Sequence, residues 1–413
     1  MTPQNAVVFL LIVALIAMLS RRLKLPYTVG LVVAGLGLAI SNVLGRLELT
    51  SDLVFSILLP PLIYEAACQL SWKELRKNFT PILTLASVGV LLATALTAFL
   101  MYFVFKWSIE AALLFATLIS ATDPVSVIAT LKEAGVTGRL KLLVEAESLF
   151  NDGTVAVLFT VLLSWAVSGH ISTVAIATDI VREIGGGILC GAAVGTVVIW
   201  IAGKTEDHLV EITLTVVAAY SSFLLAQTFH MSGVLGTLTT GLILGNIGPL
   251  GAISDNGREA VHSFWEFAGF LVNSIVFILV GAQGAGWMKI LASNFPIILA
   301  ASAFVLLGRA IAVYPICQAF RRSKHSVETA HQHTLVWGGL RGALALALAL
   351  VLPPAFPMRE TILATTYGVV AISIVIQGLT FLPLLKRLGI VGDRMSNLMG
   401  SSNTFWSFFQ NLM

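Results

Sequence analysis

Two clusters of oxygen-bearing side chains interrupt apolar runs in the first half of the chain. One is Glu147-Ser148-Leu149-Phe150-Asn151-Asp152, and the other, upstream of it, is Ser120-Ala121-Thr122-Asp123-Pro124. A carboxylate at membrane depth costs several kcal/mol unless it is paired or lies on an ion pathway. On a helix, Ser148 and Asp152 share a face at i, i+4, and Glu147 and Asn151 form the neighbouring pair. A carboxylate, a hydroxyl and a carbonyl freed by Pro124 are hard oxygen donors of the kind an alkali cation needs. A cation and a proton neutralise the same carboxylate and exclude one another, which is the minimal chemistry of exchange. Asp152 is the candidate carrier.

Composition places these residues in a membrane. Hydrophobic residues make up 57% of the chain and charged residues 11%, with a mean hydropathy of +0.93. A soluble domain carries roughly a quarter charged residues, so this chain cannot cover a globular surface in water. The formal net charge of +3 is small, and nothing reads as a nucleic-acid patch. Cys68, Cys190 and Cys317 fall in or near apolar runs at unrelated spacing. They fit neither a disulfide framework nor a metal knuckle and read as small hydrophobes.

Runs long enough to cross roughly 30 Å of hydrocarbon fall near residues 5–20, 27–44, 52–68, 80–104, 109–131, 142–164 and 184–203. Others fall near 209–228, 232–248, 260–283, 292–320, 333–352 and 361–385. The expectation is an all-α protein of about thirteen spans. With the N-terminus outside, seventeen of the 24 basic residues fall in inside loops, five in outside loops, and Arg309 and Arg341 within spans. That bias predicts an outside N-terminus and a cytoplasmic C-terminus. The first run lacks a basic n-region and is followed by Arg21-Arg22, so it reads as a retained helix. Residues 171–183 could form an amphipathic outer helix. Residues 386–413 are expected to be a short cytoplasmic segment, with Phe405, Trp406, Phe408 and Phe409 at the interface.

Two spans carry breaks. In the fifth, Pro124 deprives the Ser120 carbonyl of its helical partner, and Asp123 is pushed off helical angles. In the twelfth, Gly338, Gly339 and Gly342 surround Arg341. Five and twelve are corresponding positions if spans 1–6 and 8–13 form an inverted repeat, and paired breaks point to a transporter's midplane site. Asp123 can neutralise a positive half-helix end and Arg341 a negative one. Arg309, in an apolar run, needs a carboxylate. Glu147 is the best partner, because Asp152 must stay free for ions. Glu65, after Pro60-Pro61, is either an interfacial glutamate or a site acid. Glu211 and Glu266, near span starts, read as interfacial, and the seven histidines as solvated or capping groups.

The motifs Thr122-Asp123-Pro124-Val125-Ser126-Val127, Glu147-Ser148-Leu149-Phe150-Asn151-Asp152-Gly153 and Gly338-Gly339-Leu340-Arg341-Gly342-Ala343 together resemble the monovalent cation/proton antiporter 1 class. Its prokaryotic sodium/proton exchangers are called NhaP-type. Phe264-Trp265-Glu266-Phe267 and Val272-Asn273-Ser274 through Gly281 are similar as well, so the likeness spans nearly the whole chain. The resemblance implies a thirteen-helix inverted-repeat fold in one transmembrane unit, 1–385, with repeats at about 1–164 and 205–385. It implies a mobile ion-carrying core from spans 4–6 and 11–13, with the other spans forming the interface of a homodimer in the plasma membrane. It also implies a sodium (or lithium) site at Asp152 assisted by Ser148, Thr122 and Glu65, a Glu147–Arg309 pair, and no cofactor beyond the transported ions. The Asn151-Asp152 pair is associated with electroneutral exchange, whereas electrogenic relatives carry two adjacent aspartates.

Potassium/proton exchange is the nearest alternative. A cation channel would more naturally show a symmetric filter motif, and an intramembrane aspartyl protease would need two aspartates at one scissile site.

Overall fold

The computed structural model describes residues 3–23, 26–41, 50–169, 173–248 and 253–391. The aromatic cluster at 405–409 lies outside the described residues, as do Lys24, Arg46, His170 and Arg394. Among the described residues the chain is all helical. The helices are α1 (Pro3–Leu23), α2 (Tyr27–Ser41), α3 (Leu59–Gln69), α4 (Trp72–Thr84), α5 (Val90–Phe105), α6 (Ile109–Leu118), α7 (Val125–Glu133), α8 (Arg139–Ser168) and α9 (Thr173–Ala202). They continue with α10 (His208–Thr228), α11 (Gly233–Ile247), α12 (Asp255–Gly286), α13 (Met288–Ser293), α14 (Phe295–Ala319), α15 (Thr329–Trp337), α16 (Ala343–Val351), α17 (Arg359–Ile372) and α18 (Gly378–Arg387). Wide helical turns at Leu53–Leu58, Leu85–Gly89 and Ser373–Gln377 lead into α3 and join α4 to α5 and α17 to α18.

Helix is what the sequence physics demands, because lipid offers no partner for a bare backbone N–H or C=O. Among the described residues, seven helical stretches are long and apolar enough to cross a membrane, with shorter apolar helices beside them. Outward-facing Leu10, Leu11, Phe99, Trp200 and Leu224 are exposed, as suits a surface whose solvent is hydrocarbon rather than water. The wide turn before α3 has a local cause. Pro61 has no N–H to give the Ile57 carbonyl, and that carbonyl instead accepts the Tyr220 hydroxyl at 3.0 Å.

Small residues set how closely the helices approach. In α2 and α12, a Cβ at Gly35 would lie 2.0 Å from the Ile278 carbonyl oxygen, and one at Gly281 would lie 2.0 Å from that of Val32. In α3 and α11, a Cβ at Gly245 would lie 2.2 Å from the Cys68 carbonyl oxygen.

One expectation is corrected. No separate amphipathic helix covers 171–183, because α9 runs unbroken from Thr173. Its charged first turns are tied to the neighbouring hairpin instead. Arg182 donates to the Phe229 carbonyl at 3.0 Å, and the Glu183 carbonyl accepts the Ser232 N–H at 3.3 Å.

Candidate ion-binding site

The chain between α6 and α7 and the chain between α15 and α16 meet. The Asp123 N–H donates to the Leu340 carbonyl at 2.7 Å, so the two interruptions share a backbone hydrogen bond. Each exposes helix ends that ordinary helices leave to water. The Arg341 guanidinium lies at the carbonyl end of α6, donating to Ser120 O at 2.8 Å and Ala121 O at 3.2 Å. The Asp123 carboxylate lies at the amide end of α7, accepting the Val125 N–H at 3.0 Å. It also presses on Gly342, the residue that opens α16, where a Cβ would sit 2.3 Å from Asp123 Oδ2. Opposite charges therefore meet the opposite half-dipoles, and Gly342 leaves room for one of them.

Helix α8 passes the breaks with two faces. On one, Glu147 and Arg309 form a buried bidentate pair, Nη1 to Oε1 at 2.7 Å and Nη2 to Oε2 at 2.6 Å. Arg309 also donates Nε–H to the Leu335 carbonyl at 3.2 Å, and the Asn151 amide donates to Glu147 at 3.4 Å. On the other face, the Ser148 hydroxyl donates to the Thr122 carbonyl at 2.6 Å and accepts from the Thr122 hydroxyl at 3.1 Å. One turn on, Asp152 Oδ1 is buried with no hydrogen-bond partner among the described residues, as is Asn151 Oδ1. A buried acceptor without a donor calls for explanation, and a missing positive ligand is one.

Ser148, Thr122, Asp123, Glu65 and Asp152 border one cavity. The Glu65 carboxylate accepts the Gln69 side-chain amide. Glu145 borders the same cavity and lies 3.9 Å from Lys141. A second cavity is bordered by Asp52, Glu183, His230 and Arg359. A single stripe of α8 serves both: Glu145, Ser148, Leu149 and Asp152 face the first, and Ala156, Phe159, Thr160 and Leu163 the second. Two other elements change over at the same level. Leu344 faces the first cavity and Leu348 the second on α16, while Leu59 and Ser56 do the same at the start of α3. From Asp152 to Ala156 is about one helical turn, roughly 6 Å at 1.5 Å per residue. The two cavities approach from opposite ends and are separated by that turn, with Asp152 on one side only.

Comparison with known proteins identifies the family. The family profile described as sodium/hydrogen exchanger, transmembrane, matches residues 7–387. The chain belongs to the sodium/hydrogen exchanger family. It is 38% identical over 373 residues to the Na(+)/H(+) antiporter ApNhaP of Aphanothece halophytica, covering 90% of this chain and 71% of that protein. It is 36% identical over 381 residues to the low-affinity Na(+)/H(+) antiporter NhaS1 of Synechocystis sp., covering 91% of this chain and 72% of the relative. Its fold is similar to that of the sodium proton antiporter MjNhaP1 from Methanocaldococcus jannaschii, with a TM-score of 0.76 at 19% identity over 94% of this chain and 98% of that one. The chain is thus a multi-pass membrane protein of a transporter family.

Some of the exchanger-family chain's site residues do not stand out in the sequence. Asn273 borders the Asp152 cavity, yet an amide in an apolar run carries no charge to flag it. The Gln69 amide is equally silent. Glu211 is not interfacial as its position near a span start suggests. It is 1% exposed and accepts from Ser254 N–H at 2.8 Å and Ser254 Oγ–H at 3.0 Å, because the chain before α12 folds over it. Glu266 does face out, 3.9 Å from Lys132.

Proposed function

We propose that the chain exchanges one sodium or lithium ion for one proton across the plasma membrane, without net charge, by alternating access. Asp152 is the shared carrier of cation and proton. The observation that carries this reading is that Asp152 borders one cavity and has a buried Oδ1 with no donor among the described residues. The cation would take the Asp152 carboxylate, the Ser148 hydroxyl and the Thr122 carbonyl, an all-oxygen set, with Glu65 on its approach. When the cation leaves, a proton takes the same carboxylate, so the carrier crosses neutral in either load. Glu147 and Arg309 hold the scaffold, and Asp123 and Arg341 keep the half-helix ends compensated while staying ionised. Asn151 contributes no charge, which supports one proton per cation.

The one-turn separation of the two cavities supports alternating access over a continuous channel. In this reading the Glu65 side is the cytoplasmic side, the N-terminus is outside, and about thirteen spans form the inverted repeat. A core of spans 4–6 and 11–13 moves against the remaining spans, which form the homodimer interface. Potassium meets the same oxygen set, and only transport distinguishes it. The test is a pH-gradient assay in proteoliposomes of the full chain with sodium, lithium and potassium in turn. Sodium- or lithium-dependent dissipation of the gradient is expected, and a gradient dissipated by potassium alone would redirect the reading to potassium/proton exchange.

A further inference from the structure

The wall of the cavity that faces α8 includes Asn273 of α12. Glu266, Gly269 and Asn273 lie at i, i+3 and i+7, hence on one helix face. Glu266 is at the exposed end beside Lys132. One turn in, Gly269 makes room for Glu65, since a Cβ there would lie 3.2 Å from the Glu65 carboxyl carbon. A further turn in, Asn273 borders the same cavity as Ser148 and Asp152 and is 7% exposed. The face thus runs from water to the level of the unpartnered carboxylate oxygen.

Asn273 differs from its polar neighbour in one respect. The Ser274 hydroxyl is spent on the Phe270 carbonyl at 2.7 Å, a bond inside its own helix. The Asn273 amide has no hydrogen-bond partner among the described residues, and the residue lines the cavity. Its amide atoms are not among the fully buried unpartnered ones, so they are open to a polar ligand in the cavity. An amide oxygen is a hard donor that never takes a proton. It adds cation affinity without adding a second titrating group, where a carboxylate would alter the stoichiometry.

We propose that Asn273 is a cation ligand, its side-chain oxygen completing from the α12 wall the coordination of the ion held by Asp152. This rests on the exchange reading above and deepens it. Because α12 lies outside the moving core of that reading, the ligand is present only while the Glu65-side cavity is open. Asn273 therefore sets affinity on that side and leaves the crossing step alone.

The test compares Asn273→Leu, of similar bulk without the oxygen, with Asn273→Asp, which keeps an oxygen, in proteoliposomes of the full chain. Asn273→Leu is expected to raise the half-saturating sodium concentration about tenfold, the effect of one lost ion–dipole contact, with the maximal rate little changed. At fixed, subsaturating sodium its acid inhibition should begin at a higher pH, because a weaker-bound cation competes less well with protons. Asn273→Asp should bind sodium at least as well as the parent chain. An unchanged half-saturation in Asn273→Leu, or a lower maximal rate at unchanged half-saturation, would overturn the proposal. If Asn273→Leu does not fold, a weakened half-saturation in Asn273→Asp overturns it and an equal or tighter one supports it. Sodium-dependent melting of the purified protein separates this from the exchange reading, since it needs no transport. If the parent chain moves no protons, that reading fails. A sodium-induced melting shift kept in Asn273→Asp and lost in Asn273→Leu still supports the ligand, and equal shifts in both contradict it.

Discussion

The two faces of α8 hold carboxylates five positions apart in sequence and opposite in condition. Glu147 has both oxygens on Arg309 and a further amide from Asn151. Asp152 has a buried oxygen with no partner among the described residues and a cavity beside it. A paired buried charge is fixed, because separating it strands the other charge; an unpaired one is free to meet a mobile ion. In the proposed reading one helix carries a structural acid and a transport acid, and their partners rather than their types tell them apart.

The sharpest way to break this contrast is to neutralise each acid. Asp152→Asn keeps the volume and removes the titrating anion. Exchange in proteoliposomes should vanish while the melting temperature stays near that of the parent chain; persistent exchange would contradict its role. Arg309→Ala should do the reverse, lowering stability by about 3–5 kcal/mol, the cost of stranding a buried partner. Thermal melting in detergent reads this out, and Glu147→Ala with Arg309→Ala should together cost less than the sum of the singles. Unchanged melting in both singles would mean that the pair holds nothing.

A smaller effect is expected where the breaks meet. Gly342→Ala would drive a methyl into Asp123 and should cost about 1–3 kcal/mol by overpacking, measured by the same melts. Smaller still, Ser148→Ala removes one neutral oxygen beside Asp152. It should raise the half-saturating sodium concentration about tenfold or less, with the fold intact, as a sodium titration of exchange would show.

The sequence reveals these groups wherever a charge or a proline is out of place. Pro124 and the glycines around Arg341 locate both interruptions, because each removes something a helix requires. Arg309 points to an acid because a lone guanidinium in an apolar run is untenable. Asn273 and Gln69 leave no such mark, since an amide costs little and says nothing about what it faces. Glu211 misleads for another reason. Its burial comes from Ser254 and Gly257, distant in sequence, folding over it, and no local pattern encodes that. The all-helical membrane fold follows from composition alone, whereas the continuity of α9 through its charged first turns depends on tertiary bonds to the next hairpin.

If one acid on one face is loaded in turn by one cation and one proton, as proposed, no net charge moves per cycle. The exchange rate in proteoliposomes should peak at intermediate pH, falling in acid where protons hold Asp152 and in alkali where protons are scarce. The decisive measurement is that rate at fixed pH gradient while valinomycin and potassium clamp the membrane potential. The account predicts a rate indifferent to voltage. A rate that rises or falls steeply with the imposed potential would mean that a second proton moves, and Asp123 at the head of α7 would be its first suspect.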